Sequence, residues 1–276
     1  MHESAAMIPT ESEALYQAID TFRVYCGVVL VSFSRHGQGL RETIGRNFIA
    51  RGMSCTQSIF AVWKAGSDQD AWILHRSLID RLLHLHYLGV TDTFTEFDEY
   101  SFLSRYAARN KLISDPYISS RIPKGLKELH KTEKARYDLL ASNKRAPWQR
   151  PKAHDVAKEM DLSFLYDLGY DYASMHVHPM SDDGHDDFKA LTESPPEHAL
   201  PDATVVRNSI LVQSLIVQEA LNVSKMRWRA ILYDFLTQIR VFLATSDPQY
   251  QVTMHKIGKI WPEFELCESP DPADAA

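Results

Sequence analysis

The chain holds 276 residues, 45% of them hydrophobic and 24% charged, with 30 lysines and arginines against 36 aspartates and glutamates. A chain of this length can bury about three quarters of its unfolded surface, which with this composition excludes a disordered or fibrous polypeptide. The net charge of −6 excludes a globally basic nucleic-acid binder, and the three dispersed cysteines (Cys26, Cys55, Cys267) exclude a disulfide framework or zinc knuckle.

Residues 1–13 carry Glu3, Glu11 and Glu13 and lack a basic start followed by an apolar run. The most apolar stretch, 24–33, is about half the length needed to span a bilayer. The expected location is cytoplasmic, with no membrane contact.

Helical periodicity dominates, and glycine and proline fall between the periodic segments. Helices are expected over 13–34, closed by a glycine-containing stretch at 36–39, and over 42–64. Ser67 reads as an N-cap for a helix continuing to Leu88, where Gly89 stops it. Further helices are expected at 93–114, before Asp115-Pro116, and at 123–143, before a breaker-rich linker at 145–151. Short helices follow at 152–160 and 161–176. His178 precedes Pro179, which disfavours helical geometry there.

Residues 179–202 hold four prolines and a run of acids, and read as one acidic loop. From 203 to 244 the pattern is helical without proline or glycine, with a bend near Asn222. Its Ile210, Leu211, Leu215, Ile216, Leu221 and Val223 predict central packing. A last helix lies near 249–259 and a frayed tail at 269–276. Strand alternation is nowhere sustained. The expected fold is all-α: a single irregular multi-helix bundle with a long central C-terminal helix, forming one domain over 1–276 with its core at about 13–260.

Charge is unevenly spread. Residues 121–152 carry ten basic side chains against Glu128, Glu133 and Asp138, whereas 161–202 carry ten acids against Lys189. The first stretch reads either as a solvated helix face or as a strip for a phosphate backbone. In the second case Lys144 and Arg145 hold phosphates and Trp148 stacks on a base.

Two constellations could carry chemistry. In the third helix Arg76, Asp80 and His84 step by four along one face, away from the leucine arc. In the later segment Tyr170 and Ser174 share a helical face, and His178 lies just past its end. A histidine there serves equally as a cap for free carbonyls or as a general acid or base. The catalytic candidates are Arg76, Asp80 and His178, with Tyr170 and Ser174 positioning substrate. His176, His178 and Asp182 form an alternative metal set. No nucleotide-binding, hydrolase or zinc-protease motif is present, and no cofactor is expected.

The run Leu74-His75-Arg76-Ser77-Leu78-Ile79-Asp80, the helix end Tyr87-Leu88, then Tyr170 to Ser174 and Val177-His178-Pro179, resembles the domain-of-unknown-function 5677 family of helical bacterial proteins. The resemblance spans about 43–245. It implies an arginine, an acid four residues on, and a late tyrosine, serine and histidine signature. The family acid is usually glutamate; here it is Asp80, one methylene shorter. The family has no established activity.

A weaker likeness extends to the helical HEPN ribonucleases, whose arginine and histidine act at a dimer interface. Arg81 and His86 match that spacing, but Leu82 replaces the usual polar residue. The two side chains also project about 140° apart on an ideal helix, so Arg76 with His178 is the favoured pair.

Three readings follow. The first is a helical binding or sensor module, in a bacterial defence or stress system, whose basic strip meets RNA or an acidic protein, another copy of the chain included. The second is a metal-independent ribonuclease in which His178 moves the proton and Arg76 stabilises phosphate charge. The third is a metal-dependent hydrolase built on His176, His178 and the following aspartates.

Overall fold

A computed structural model describes residues 10–36, 39–142, 148–178, 181, 184–192, 200–226 and 228–267. Helices occupy Glu11–His36 (α1), Leu40–Lys64 (α2), Asp68–Thr91 (α3), Phe94–Ser114 (α4), Pro116–Ser119 (α5), Lys124–Ala141 (α6) and Ala153–Glu159 (α7). A π-helix, Leu165–Asp171, leads directly into Tyr172–Val177 (α8). Then come His185–Thr192 (α9), Thr204–Val223 (α10), Arg229–Thr245 (α11) and Gln249–Cys267 (α12). No strand occurs among the described residues, so the fold is all-α.

The helices gather into two compact units, Met1–Tyr87 with Lys152–Ala276, and Leu88–Pro151. The sequence shows no internal boundary of this kind, because the first division falls inside the uninterrupted helix α3.

In the larger unit α10 packs against α2, α1 and α11. It buries Ile210, Ile216 and Leu221 as its apolar surface predicts, together with Val205, Val212 and Val217, whereas Leu211, Leu215 and Val223 are only half-buried. The close approach to α2 is made by glycine. A Cβ on Gly45 would lie 3.3 Å from the Ala220 Cβ, and one on Gly52 would collide with the Gln213 side chain. Both pairs are seven residues apart, so two bare turns of α2 receive α10. Gln213 is fully buried and donates from Nε2 to the Ile49 carbonyl at 3.1 Å.

By length and composition α1 could cross a membrane. In this fold it buries Leu15, Phe22, Tyr25 and Val29. Tyr25 stacks on Phe235 at 4.1 Å and donates to the Leu232 carbonyl at 2.9 Å.

The smaller unit packs α4 on α5 and α6. Tyr106 stacks on Tyr137 at 4.2 Å, and Arg136 pairs with Asp98 at 2.9 Å while lying over the Phe102 ring. Asp115 caps α5, accepting from the Tyr117 and Ile118 amides at 2.9 Å, with Pro116 at the first helical position.

Three sequence expectations change. Gly89 does not end α3, which runs on to Thr91 and stops where Asp92 takes a positive φ of 53°. Ser67 does stand at the N-cap position of α3, its carbonyl accepting from the Ala71 amide at 3.3 Å and its hydroxyl donating to the Asp70 carboxylate at 2.6 Å. The acidic stretch 179–202 is no uninterrupted loop, since α9 forms within it. The predicted helix over 203–244 is two helices, broken after Val223, where Ser224 turns extended and its hydroxyl bonds back to the Leu221 carbonyl.

Candidate functional site

The third helix and the π-helix build a polar and aromatic cluster inside the larger unit. Gly169 makes it possible: a Cβ there would lie 2.8 Å from Ile79 Cδ1 and 3.1 Å from His75 Cε1. Only a residue without a side chain lets the π-helical backbone settle onto α3 at this point. Such wide turns are rare and concentrate where a fold departs from regular packing for function.

Beneath Gly169, His75 is fully buried, edge-on to Trp72 at 5.3 Å. Neither ring nitrogen has a well-aligned partner. Burial pushes the ring down to about 4, although the nearby peptide groups of Asn208 and Gly169 favour the protonated form slightly. His75 is therefore a neutral core histidine at ordinary pH.

Arg76 turns to the π-helix. Its Nη2 donates to the Tyr170 hydroxyl at 3.4 Å, and its guanidinium lies 4.7 Å from the centre of that ring. Tyr170 in turn stacks on Tyr166 at 5.3 Å, and His154 meets Tyr166 edge-on at 5.3 Å. Ser174 donates to the Tyr170 carbonyl at 2.6 Å, so its hydroxyl serves the helix.

The structure thus brings together Arg76, Tyr170 and Ser174. It does not join Asp80 or His178 to them: no ion pair links Arg76 with Asp80, and His178 is exposed just past α8 without a hydrogen bond to either. His176 packs edge-on to Tyr172 at 5.0 Å. Asp182, Lys144 and Arg145 lie outside the described residues. Among those described, no group of three histidine, cysteine, aspartate or glutamate side chains is placed to hold a metal.

Arg81 and His86 serve separate partners. Arg81 Nη1 returns to the Ser77 hydroxyl at 2.8 Å, whereas His86 Nδ1 meets Glu219 of α10 at 3.0 Å. The Glu219 hydrogen bond raises the His86 pKa against the opposing effect of burial. The stabilisation is therefore complete below the unfolded value near 6.5 and fades as pH climbs through the raised folded value. Glu219→Gln is expected to cost about 1–2 kcal/mol at pH 5.5 and less at pH 8.5. Urea melts of both proteins at the two pH values measure this, and a gap that does not shrink at pH 8.5 contradicts it.

In the smaller unit, twelve lysines and arginines face eight acids, so the unit is basic while the remainder of the chain carries the net negative charge. Trp148 packs edge-on to Phe97 at 5.0 Å and against Tyr100 at 5.3 Å, half-buried. A more open ring is Tyr117, 70% exposed, with the Arg121 guanidinium 3.6 Å from its centre. Sequence reasoning missed this pair because its i, i+4 spacing is shared by α5 and the turn after it. Lys131 and Lys134 are exposed and form no ion pair among the described residues.

A family model, the Family of unknown function (DUF5677), matches residues 42–194. The chain belongs to this family. The DUF5677 segment holds Arg76, Gly169 and Tyr170 but ends short of the expected limit near Thr245. It therefore excludes α1 and α10, the helices that complete the core around α2. No curated protein and no solved structure matches the chain.

Proposed function

We propose that the protein is a helical binding module that takes single-stranded RNA on the basic face of residues 88–151. The carrying observation is the exposed Tyr117 ring under Arg121, on a unit whose Lys131 and Lys134 have no anionic partner among the described residues. An exposed aromatic ring and lysines without an anionic partner among the described residues, carried on one unit, suit stacked bases and a phosphate chain. The binding reading is preferred to catalysis because Arg76 spends its guanidinium on Tyr170 and His178 makes no contact with it.

Fluorescence anisotropy with a labelled mixed RNA pool tests this. Binding is expected to weaken linearly in log–log plots against salt, and Lys131→Ala with Lys134→Ala to reduce the slope by roughly 1.4. Tyr117→Ala is expected to weaken binding about 5- to 150-fold at fixed salt. No saturable binding at 50 mM salt sinks the proposal. RNA shortening that disappears in His178→Ala would replace it with the ribonuclease reading.

A further inference from the structure

Helix α9 is too short to stand alone. It has eight residues, whereas an isolated helix needs about 12–15 to persist in water. A helix of this length draws its stability from the surface beneath its apolar face. That face is formed by Phe188 and Leu191, three residues apart and one above the other. In the structure Phe188 is 61% and Leu191 87% exposed, so α9 rests on neither.

The segment just before α9 carries an apolar surface in the same condition. Phe164 and Leu168 lie four residues apart, near one turn of the π-helix, and are exposed. Tyr172 follows one turn later, meeting Trp72 edge-on while still partly open to solvent, and Met175 adjoins it, also exposed. This surface and α9 belong to the same compact unit. Residues 178–184 join the two, a connection of ordinary length for helices lying side by side and antiparallel. In such a hairpin, side chains equally far from the turn come level. At 1.5 Å per residue Phe188 lies about 4.5 Å into α9 and Leu191 about 9 Å. Measured back from Val177, those levels fall between Met175 and Tyr172, and between Tyr172 and Leu168.

We infer that α9 is a strap that closes onto the Phe164, Leu168, Tyr172 and Met175 surface of its own chain, and that the structure holds it open. On closing, Phe188 seats beside Met175 and Leu191 beside Leu168. A short connection keeps the strap at an effective concentration near the millimolar range, ahead of any free competitor. Closure covers the open flank of the π-helix, whose buried side sets Gly169 over His75. The strap therefore braces the wide turns that also hold Tyr170 against Arg76. The DUF5677 segment ends two residues beyond α9, so it contains both the strap and its seat. No residue of the basic unit takes part, and the RNA reading stands or falls separately.

Hydrogen exchange of the full-length chain, read at residues 184–192, reports the closed state. In the wild type these amides are expected to exchange at least about tenfold more slowly than in an unstructured chain. Leu168→Ser, a change outside α9, is expected to remove that protection, since one buried leucine is worth about tenfold or more. Exchange in α2 and α10 should stay as in the wild type. A cysteine trap supplies the second measurement, in a Cys267→Ser background. Leu168→Cys with Leu191→Cys is expected to form a disulfide within one chain, at a rate independent of concentration from about 1 to 100 µM. Val241→Cys on α11, also exposed, serves with Leu191→Cys as the unpaired control. An unprotected α9 in the wild type, or protection that survives Leu168→Ser, overturns the proposal. So does a disulfide no faster than the control, or one formed between chains at a rate that climbs with concentration.

Discussion

Gly52→Val lowers the stability of the fold by about 3 kcal/mol, the upper part of the range for overpacking a closed interior. The added carbons meet Gln213, whose amide is fixed by the Ile49 carbonyl and whose side chain is fully buried. The amide must either leave Ile49 or push α10 from α2, and both routes disturb the widest helix contact in the larger unit. Helix propensity returns only a few tenths of a kcal/mol. Gly27→Ala in α1 has the opposite sign: nothing lies within 4 Å of a Cβ there, so alanine gains up to about 1 kcal/mol by propensity alone. Urea denaturation of both variants beside the wild type checks the pair. Equal effects of the two would mean that α2 and α10 do not approach as closely as described.

Acid weakens the protein through His75. The folded ring is held to about 4 by burial, whereas an unfolded histidine titrates near 6.5. Between these values the unfolded chain binds the extra proton, so stability rises with pH across the window and is lost as pH falls from 6.5 toward 4. The full effect is roughly 3 kcal/mol. His75→Phe keeps a ring against Trp72 and Gly169 and removes both ring nitrogens, neither of which has a well-aligned partner. The variant should match or exceed the wild type at pH 7 and lose less stability at pH 4.5. Denaturation midpoints at pH 4.5, 5.5 and 7 measure the difference. Parallel pH profiles for the two proteins would show that some other group governs acid unfolding.

The family resemblance drew attention to the segment from Leu74 to Asp80, and the structure places part of its polar set together there. Arg76 and Tyr170 meet although 94 residues separate them. Asp80, the sequence-local partner, is not used. Spacing along one helix shows which side chains share a face, and it is silent on whether another helix offers a better surface. Tyr170 provides a ring and a hydroxyl for one guanidinium, which a single short carboxylate one turn away does not. His75, the deepest polar residue of the cluster, was hidden for the same reason. It reads as one more polar position beside Arg76 until a glycine from 94 residues away is seen to close over it.

The amino-acid order determined the all-α class, because apolar side chains recurring at helical intervals and breakers confined between them act within a few turns of the backbone. It also determined the charge split between residues 121–152 and 161–202, which composition carries directly. Tertiary structure decided the rest. The seating of the π-helix at Leu165–Asp171 and the bare glycine seam of α2 against α10 both depend on what a distant helix presents. A local window contains the hydrogen bonds that make a helix. It does not contain the side chains, dozens of residues away, that fix where the helix must widen, stop or give up its Cβ to let another in.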